Sequence, residues 1–151
     1  MDKNYDVLKL DNQLCFPLYA AARETVKHYR PFLEDLDITY TQYITLMVLW
    51  EEGAVTVKYL GDRLYLDSGT LTPLLKSMEA KGLISRRRLK EDERCLLVSL
   101  TEDGEKLKER AAEIPFKVAK CLSLSKEEAL TLFLLLKKVL KNGTDEETAT
   151  L

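Results

Sequence analysis

Cys15 is the residue in this sequence best suited to covalent chemistry. It lies in the stretch LDNQLCFPLYAAARE, about four residues after Asp11, which could cap the N-terminus of an amphipathic helix. The positive end of a helix dipole favours the thiolate over the thiol, and the thiolate is the form that reacts with oxidants. Alternatively, Cys15 packs as a small apolar side chain. Residue type and spacing leave both interpretations open.

Tyrosines could hydrogen-bond the Cys15 thiolate. Tyr19 lies one helical turn after Cys15, on the same face. Tyr29 lies fourteen residues after it, which is about 21 Å along a helix. A contact between Tyr29 and Cys15 would therefore require a second copy of the chain. Ordinary ring packing is the alternative for these tyrosines.

Cys121 could serve as a second thiol, because a thiol can trap an oxidised cysteine as a disulfide. The alternative is a buried, inert thiol. Cys95 lies in a predicted strand and is expected to be structural. The three cysteines are widely spaced and fit neither a secreted disulfide framework nor a CxxC site, so we expect reduced thiols. His28 has no partner at ligand spacing, so no metal site and no cofactor are predicted.

The segment from Lys76 to Arg94 is basic within an acidic chain. It carries a net charge of +3, and the rest of the chain carries −5. Arg86 and Arg88 alternate along a predicted strand, and Arg94 follows a turn from which it could enter a DNA minor groove. Asp92 could hold the Arg94 guanidinium by paired hydrogen bonds. The segment fits a nucleic-acid footprint, with a solvated surface as the alternative.

The helix predicted before this hairpin has one apolar side and one small, polar side. The apolar side consists of Leu71, Leu74, Leu75 and Met78. The opposite side consists of Gly69, Pro73, Lys76, Ser77 and Ala80, flanked by Thr70 and Thr72. Small side chains allow close approach to base edges, and a helix N-terminus favours phosphate. A face selected only for solubility would usually be rich in Glu and Lys.

The composition and periodicity predict how these residues are positioned. With 151 residues, 32% charged and 46% apolar, the chain is expected to form one domain in the cytoplasm, with neither a membrane span nor a secretory signal. Hydrophobic spacing and capping signals predict helices at 11–36, 39–52, within 56–66, 67–83, 101–122 with a break at Pro115, and 125–143, and strands at 83–90 and 94–100. Residues 144–151 are predicted to be a disordered tail.

The last predicted helix is apolar on nearly all sides. Nine residues between Ala129 and Leu140 are apolar, and the helix begins with the capping box formed by Ser125 and Glu128. This pattern predicts a subunit interface, with burial inside the monomer as the alternative.

A short helix, a turn, a second helix and a basic hairpin follow one another in the order of a winged helix-turn-helix. The stretch DERCLLVSLTEDG, from Asp92 to Gly104, resembles the wing signature of the MarR family of repressors. The stretches QLCFPLYAAARE, ITYTQYITLMVLWE and LYLDSGTLTPLLKSMEAKGLI resemble one branch of that family, the OhrR organic-hydroperoxide sensors. The resemblance covers roughly positions 5 to 143.

The resemblance implies a mainly α fold with a small β-hairpin wing. It implies a single MarR-like chain over 1–143, in which helices of 10–36 and 101–143 form a homodimer and 39–100 forms the DNA-binding lobe. Ser77 departs from the family pattern, because close relatives tend to carry a basic residue there.

The resemblance also assigns roles to individual residues. It places Ser68, Thr70 and Thr72 near the major groove and Arg94 with Asp92 at the minor groove. It directs Tyr29 and Tyr40 of one subunit at Cys15 of the other.

The function expected from the resemblance is a repressor, not an enzyme, that releases a near-palindromic double-stranded DNA operator when organic hydroperoxide oxidises Cys15. One alternative is a MarR-type repressor released by a small phenolic or lipophilic ligand. A second is a thiol peroxidase using Cys15, although no catalytic arginine or CxxC motif accompanies the thiol. A third is a winged helix used for protein contacts alone.

Overall fold

The computed structural model of the chain describes residues 5–90 and 94–145, with side chains as far as Lys141. Within these residues the elements are α1 (Cys15–Glu34), α2 (Tyr40–Glu52), β1 (Val55–Thr56), α3 (Val57–Leu64), α4 (Ser68–Ala80), β2 (Ile84–Arg88), β3 (Leu96–Leu100), α5 (Glu102–Ala111), α6 (Ile114–Cys121) and α7 (Lys126–Asp145). The chain divides into two compact units, Met1–Ile114 and Pro115–Leu151.

The first helix begins later than the sequence predicts. Two single-turn 3-10 helices, Asp6–Leu8 and Leu10–Asn12, precede α1, and the N-cap of α1 is Leu14. The prediction that Asp11 caps this helix is therefore wrong. Cys15 becomes the first residue of α1, closer to the positive end of the dipole than predicted.

Side chains near the N-terminus stabilise these 3-10 turns instead of an α-helix. The Asn12 amide donates to the Asp6 carbonyl at 2.7 Å. The Gln13 amide donates to the Val7 carbonyl, and the backbone of Gln13 is extended. Amide side chains that bond nearby carbonyls compete with helix formation, so α1 starts only after Gln13.

The helices α2 to α5 begin at polar caps. Thr39 and Gln42 form a complete capping box at the start of α2. Thr56 caps α3, Asp67 caps α4 and Thr101 caps α5, each accepting a hydrogen bond from a backbone N–H of the first turn. Such caps satisfy amide groups that would otherwise lack an intrahelical partner, so they set where each helix starts.

The predicted hairpin is present, and a third strand joins it. β2 and β3 pair antiparallel, with Arg86 opposite Val98. β1 pairs antiparallel with the other edge of β3, with Val55 also opposite Val98, which gives the order β1-β3-β2. β1 has only two residues, too few for an alternating pattern, and the sequence did not predict it. The turn at 91–93 lies outside the described residues.

One apolar core holds the first unit together. Trp50 on α2 fastens α5 to this core, because its indole N–H donates to the Gly104 carbonyl at 3.0 Å. The buried apolar side chains come from α1 to α5 and from the sheet: Leu33, Ile38, Leu46, Leu49, Leu60, Leu71, Leu75, Met78, Ile84, Val98, Leu107 and Ala111.

In the second unit, α7 starts at the predicted capping box. The Ser125 N–H donates to the Glu128 carboxylate at 2.8 Å, and the Glu128 N–H donates to the Ser125 hydroxyl at 3.2 Å. The helix continues to Asp145, two residues past the predicted end at Gly143, because helical backbone tolerates glycine near a frayed terminus. The rest of the predicted tail, 146–151, lies outside the described residues.

The apolar side chains of α7 are exposed in the single chain, with accessibilities between 42% and 59%. Burial inside the monomer, the alternative to a subunit interface, is therefore not observed for this face. Although α7 is rich in leucine, the described residues contain no helix long and apolar enough to cross a membrane. The exposed residues of this face are Leu130, Leu132, Phe133, Leu134, Leu135, Val139 and Leu140.

Replacing Gly104 with Ala should destabilise the first unit by about 2 to 3 kcal/mol, because a new Cβ would overpack a well-filled site. The Cβ would lie 2.1 Å from the Leu83 carbonyl oxygen, a backbone atom that cannot rotate away. Urea unfolding at a fixed protein concentration measures the change. Gly69→Ala is the matched control, since the nearest atom there is a side-chain oxygen of Asp67 at 3.2 Å. Equal unfolding free energies for the two variants would contradict the prediction.

Candidate nucleic-acid interface and thiol site

The N-terminal half of α4 presents the small, polar surface that the sequence predicts. The Asp67 carboxylate accepts the Thr70 N–H at 2.7 Å, and the Thr72 hydroxyl donates to the Ser68 carbonyl at 2.9 Å. The first bond satisfies one backbone N–H of the first turn, and the Thr72 hydroxyl keeps its lone pairs as acceptors. The predicted contact residues on α4 are all exposed: Ser68, Gly69, Thr70, Thr72 and Lys76.

Arg86, a predicted DNA contact, is already paired with a carboxylate of α4. Its guanidinium donates twice to one carboxylate oxygen of Glu79, at 2.6 Å and 3.1 Å, and its backbone N–H donates to the other oxygen at 3.1 Å. The Arg86 side chain is only 18% exposed. The hydrogen bond from Arg86 lowers the pKa of Glu79. Arg86 therefore braces the hairpin against α4, and its contact with DNA stays a prediction.

Arg88 and Arg94 are the exposed arginines of the predicted interface that lie on the hairpin. The hairpin extends past the strands, because the Leu89 N–H donates to the Cys95 carbonyl at 3.0 Å. Asp92 lies outside the described residues, so its pairing with Arg94 stays a prediction.

Ser77 is held by a partner that the sequence analysis missed. The Gln42 amide donates to the Ser77 hydroxyl at 3.1 Å, although 35 residues separate them. Gln42 also closes the capping box at Thr39, and nothing in the sequence indicated a second bond from the same amide. Position 77 carries a serine where close relatives tend to carry a basic residue, and this serine links α4 to α2.

The Cys15 thiol is exposed at the start of α1, so it does not fill the core of the single chain. Exposed apolar side chains surround it in sequence: Leu10, Leu14, Phe16 and Leu18. Tyr19 is also exposed, and its hydroxyl accepts a hydrogen bond from Arg23 at 3.4 Å. The thiol thus has an apolar neighbourhood suited to a second protein surface or to the carbon chain of a small molecule.

Tyr29 and Tyr40, predicted to act together, lie together in one chain. Their ring centroids are 5.0 Å apart in an edge-to-face arrangement, and Tyr43 lies 5.8 Å from Tyr29. Burial raises the pKa of Tyr29 and of Tyr40, and it raises the pKa of Tyr43 to about 12. The phenols are therefore neutral at physiological pH and can donate hydrogen bonds. Tyr43, which was not predicted from the sequence, is the third ring of this tyrosine cluster.

An open groove of about 470 Å³ lies beside the tyrosine cluster. Its walls combine apolar side chains with the Tyr40 phenol and a charged rim, so it could accept an apolar group that carries a polar end. The lining residues are Val26, Lys27, Arg30, Leu33, Glu34, Ile38, Thr39 and Tyr40.

Cys121 lies exposed at the end of α6, and its thiol donates to the Lys117 carbonyl at 3.6 Å. The alternative of a buried thiol is therefore not observed. Cys95 is half-buried beside β3, and His28 is exposed on α1. In the part of the chain that the structure describes, no three His, Cys, Asp or Glu side chains are grouped closely enough to hold a metal ion.

Comparison with known proteins identifies relatives over most of this fold. The family described as transcriptional regulator SarA/Rot matches residues 27–111. The organic hydroperoxide resistance transcriptional regulator of Bacillus subtilis strain 168 is 57% identical over 127 residues, which is 84% of each chain.

Two solved structures share the architecture. Reduced AbfR bound to DNA superposes with a TM-score of 0.74 and 37% identity, covering 89% of this chain and 94% of that one. A mutant of MarR from E. coli, complexed with operator DNA, has a TM-score of 0.73 and 29% identity, covering 84% and 93%. The winged lobe, the terminal helices and this kinship agree: the chain belongs to the MarR family of winged helix-turn-helix transcriptional regulators, in the branch that includes the organic hydroperoxide resistance regulators.

Proposed function

We propose that this protein is a homodimeric repressor that leaves its operator when an organic hydroperoxide oxidises Cys15. The observation that carries the proposal is the exposed thiol at the first residue of α1, in a chain whose α4 presents an exposed polar surface. Kinship with a regulator of organic hydroperoxide resistance supports the same signal.

In this proposal the N-terminal half of α4 enters the major groove, and the hairpin follows the DNA backbone to the minor groove. Ser68, Thr70 and Thr72 supply hydroxyls at the helix N-terminus, where phosphate is favoured. Lys76, Arg88 and Arg94 supply positive charge, while Arg86 positions the hairpin. Two copies would read half-sites of a near-palindromic operator about 10 base pairs apart, or a multiple of that spacing.

The exposed apolar surface supports a dimer. The α7 face and the residues around Cys15 leave large aliphatic side chains in water in the single chain. A second copy would bury them and would bring tyrosines of one subunit to the thiol of the other. Tyr29 lies about 21 Å along α1 from Cys15 in its own chain, so in this proposal Tyr29 of the second copy reaches the thiol.

The proposed chemistry begins with attack by the Cys15 thiolate on the peroxide oxygen that carries hydrogen. The O–O bond breaks, the alkoxide leaves as an alcohol after taking a proton, and the sulfur becomes a sulfenic acid. The partner's Cys121 or a small-molecule thiol then attacks that sulfur, which releases water and forms a disulfide. Neutral phenols of Tyr29 and Tyr40 can donate hydrogen bonds to the thiolate.

Oxidation changes DNA affinity only if it favours a dimer whose recognition helices are spaced differently. Loss of the tyrosine contacts at the interface supplies that energy difference. The groove beside Tyr40 favours a second candidate, a repressor released by a small apolar ligand with a polar end. The two candidates differ in whether Cys15 is required.

Organic hydroperoxide should weaken operator binding by the wild-type protein about tenfold or more, within the usual range of allosteric coupling. Cys15→Ser should keep its affinity, because serine cannot form the sulfenic acid. DNA-binding titrations before and after treatment, with non-reducing gels alongside, measure both effects. If Cys15→Ser releases DNA as readily as wild type, the redox proposal is wrong.

Cys121→Ser tests whether Cys121 or a small-molecule thiol forms the disulfide with oxidised Cys15. If Cys121 forms the disulfide, this variant should lack the intersubunit band on the gel. An unchanged band would contradict that role. Rapid consumption of peroxide with a reductant, without any change in DNA affinity, would indicate the thiol peroxidase alternative.

Arg94→Ala and Arg86→Ala remove the same charge but should differ in their salt dependence. Arg94→Ala should weaken operator binding by about 1 to 3 kcal/mol if it contacts base edges, and should reduce the salt slope by about 1 if it contacts phosphate. Arg86→Ala should leave the salt slope unchanged, because the Arg86 guanidinium is bonded to Glu79. Titrations at several salt concentrations measure the slopes, and equal losses of slope would contradict these roles.

Tyr29→Phe should slow oxidation of Cys15 by about tenfold, because a hydrogen bond to a charged group is among the stronger ones. Stopped-flow measurement of thiol loss with an organic hydroperoxide gives the rate. Tyr65→Phe is the matched control, since Tyr65 is an exposed tyrosine in the turn after α3. A wild-type rate in Tyr29→Phe would count against a hydrogen bond from this phenol.

A further inference from the structure

Gln42 is a buried polar residue whose side chain joins two helices. It is 3% exposed. Its carbonyl oxygen accepts the Thr39 N–H at 3.0 Å, and its amide nitrogen donates to the Ser77 hydroxyl at 3.1 Å. Thr45, which is also buried and polar, donates instead to the Thr41 carbonyl within its own helix. A helix cap requires only the bond to Thr39, so the bond to Ser77 is an additional link between α2 and α4.

The hydrogen bond from Gln42 to Ser77 joins two regions of the lobe. Gln42 lies beside the tyrosine cluster in the sequence of α2, and Ser77 lies on α4, the recognition helix. Gln42 occupies the first turn of α2 between Tyr40 and Tyr43, whose rings both lie within 6 Å of the Tyr29 ring. Ser77 lies on α4 two residues before Glu79, which holds the hairpin. Hydrogen bonds therefore connect the first turn of α2 to α4 and, through α4, to β2.

The burial of Gln42 makes this connection stiff. Ser77 is exposed, but the Gln42 side chain is only 3% exposed, so water has little access to the amide if the Ser77 hydroxyl moves away. A broken bond would leave a buried amide without a partner, which is costly. The first turn of α2 and the C-terminal part of α4 are therefore favoured to move together.

We propose that Gln42 is a positioning residue that couples the tyrosine cluster to the recognition helix through Ser77. This inference rests on the proposed redox function. When oxidation of Cys15 removes its contact with Tyr40, the first turn of α2 shifts, and the Gln42–Ser77 hydrogen bond transmits the shift to α4. The Gln42–Ser77 hydrogen bond thus sets how much the oxidation of Cys15 changes the affinity for the operator.

The test compares Ser77→Ala, Ser77→Thr and Ser85→Ala. Ser77→Ala removes the acceptor, while Ser77→Thr keeps a hydroxyl. Ser85→Ala is the matched control, because the Ser85 hydroxyl pairs with the Ser99 hydroxyl at 2.9 Å within the sheet of the same lobe. Operator affinity is measured for each protein in its reduced and peroxide-treated forms.

The expected result is a change in a ratio. In Ser77→Ala, the ratio of oxidised to reduced Kd should fall at least about threefold below wild type, within the range that residues coupling two sites produce. Ser77→Thr should restore it, and Ser85→Ala should retain it. A direct effect of Ser77 on DNA would change both affinities equally and leave the ratio unchanged. An unchanged ratio in Ser77→Ala, or an equal fall in Ser85→Ala, would overturn the proposal.

A second measurement does not depend on peroxide. In the reduced protein, operator binding should slow amide hydrogen exchange at residues 43–46 of α2, and this protection should be lost in Ser77→Ala, because coupling between two sites is reciprocal. If wild type does not respond to peroxide, the proposed function fails and the exchange data alone decide the coupling. Protection that persists in Ser77→Ala would refute the coupling even where the redox response is intact.

Discussion

Exposed apolar surface is the constraint on which the rest of this structure depends. Large aliphatic side chains stand in water along α7, and others surround Cys15 at the start of α1. Soluble proteins rarely leave such surfaces uncovered, so the single chain is an incomplete unit. In the proposed homodimer a second copy covers this surface, places Cys15 at the interface and sets two recognition helices at a defined spacing. Under that proposal, sensing and DNA binding both depend on the same association.

The recognition helix is held more firmly than a helix packed only by its apolar side. Leu71, Leu75 and Met78 anchor one side of α4 in the core. Glu79 binds the hairpin through Arg86, and Ser77 accepts a hydrogen bond from Gln42 on α2. These polar contacts lie close to the exposed face of α4. They therefore fix which way this face is turned, while the apolar side fixes how closely the helix packs on the core. A helix held in this way can present its N-terminal hydroxyls to DNA with little reorganisation.

The tyrosine cluster combines two properties that a thiol sensor needs. Burial raises the pKa of its phenols, so they remain neutral donors at physiological pH. The rings also pack against one another and, through Tyr43, against Trp50 in the core. A change in the hydrogen bonding of one phenol therefore acts on the packing of α2. The proposed hydrogen-bond donors to the thiol are thus packed against α2, a helix of the DNA-binding lobe.

Local signals in the sequence determined most of the secondary structure and the type of fold. The capping box of Ser125 and Glu128 correctly predicted where α7 begins, because a capping effect acts within one turn. The same local reasoning failed at Asp11, where amide side chains favour 3-10 turns. The alternation of side chains along the strand also predicted that Arg86 and Arg88 both contact DNA.

Only the tertiary structure decided which of these residues are available and which are occupied. Arg86 is taken by Glu79, Ser77 by Gln42, and Tyr43 joins Tyr29 and Tyr40. Arg86 and Glu79, Ser77 and Gln42, and Tyr29 and Tyr43 each lie on different elements, so no periodicity within one element could reveal these pairs. The physical reason is that capping and amphipathic spacing act over a few residues. Pairing of buried polar groups depends instead on which elements the folded core brings together.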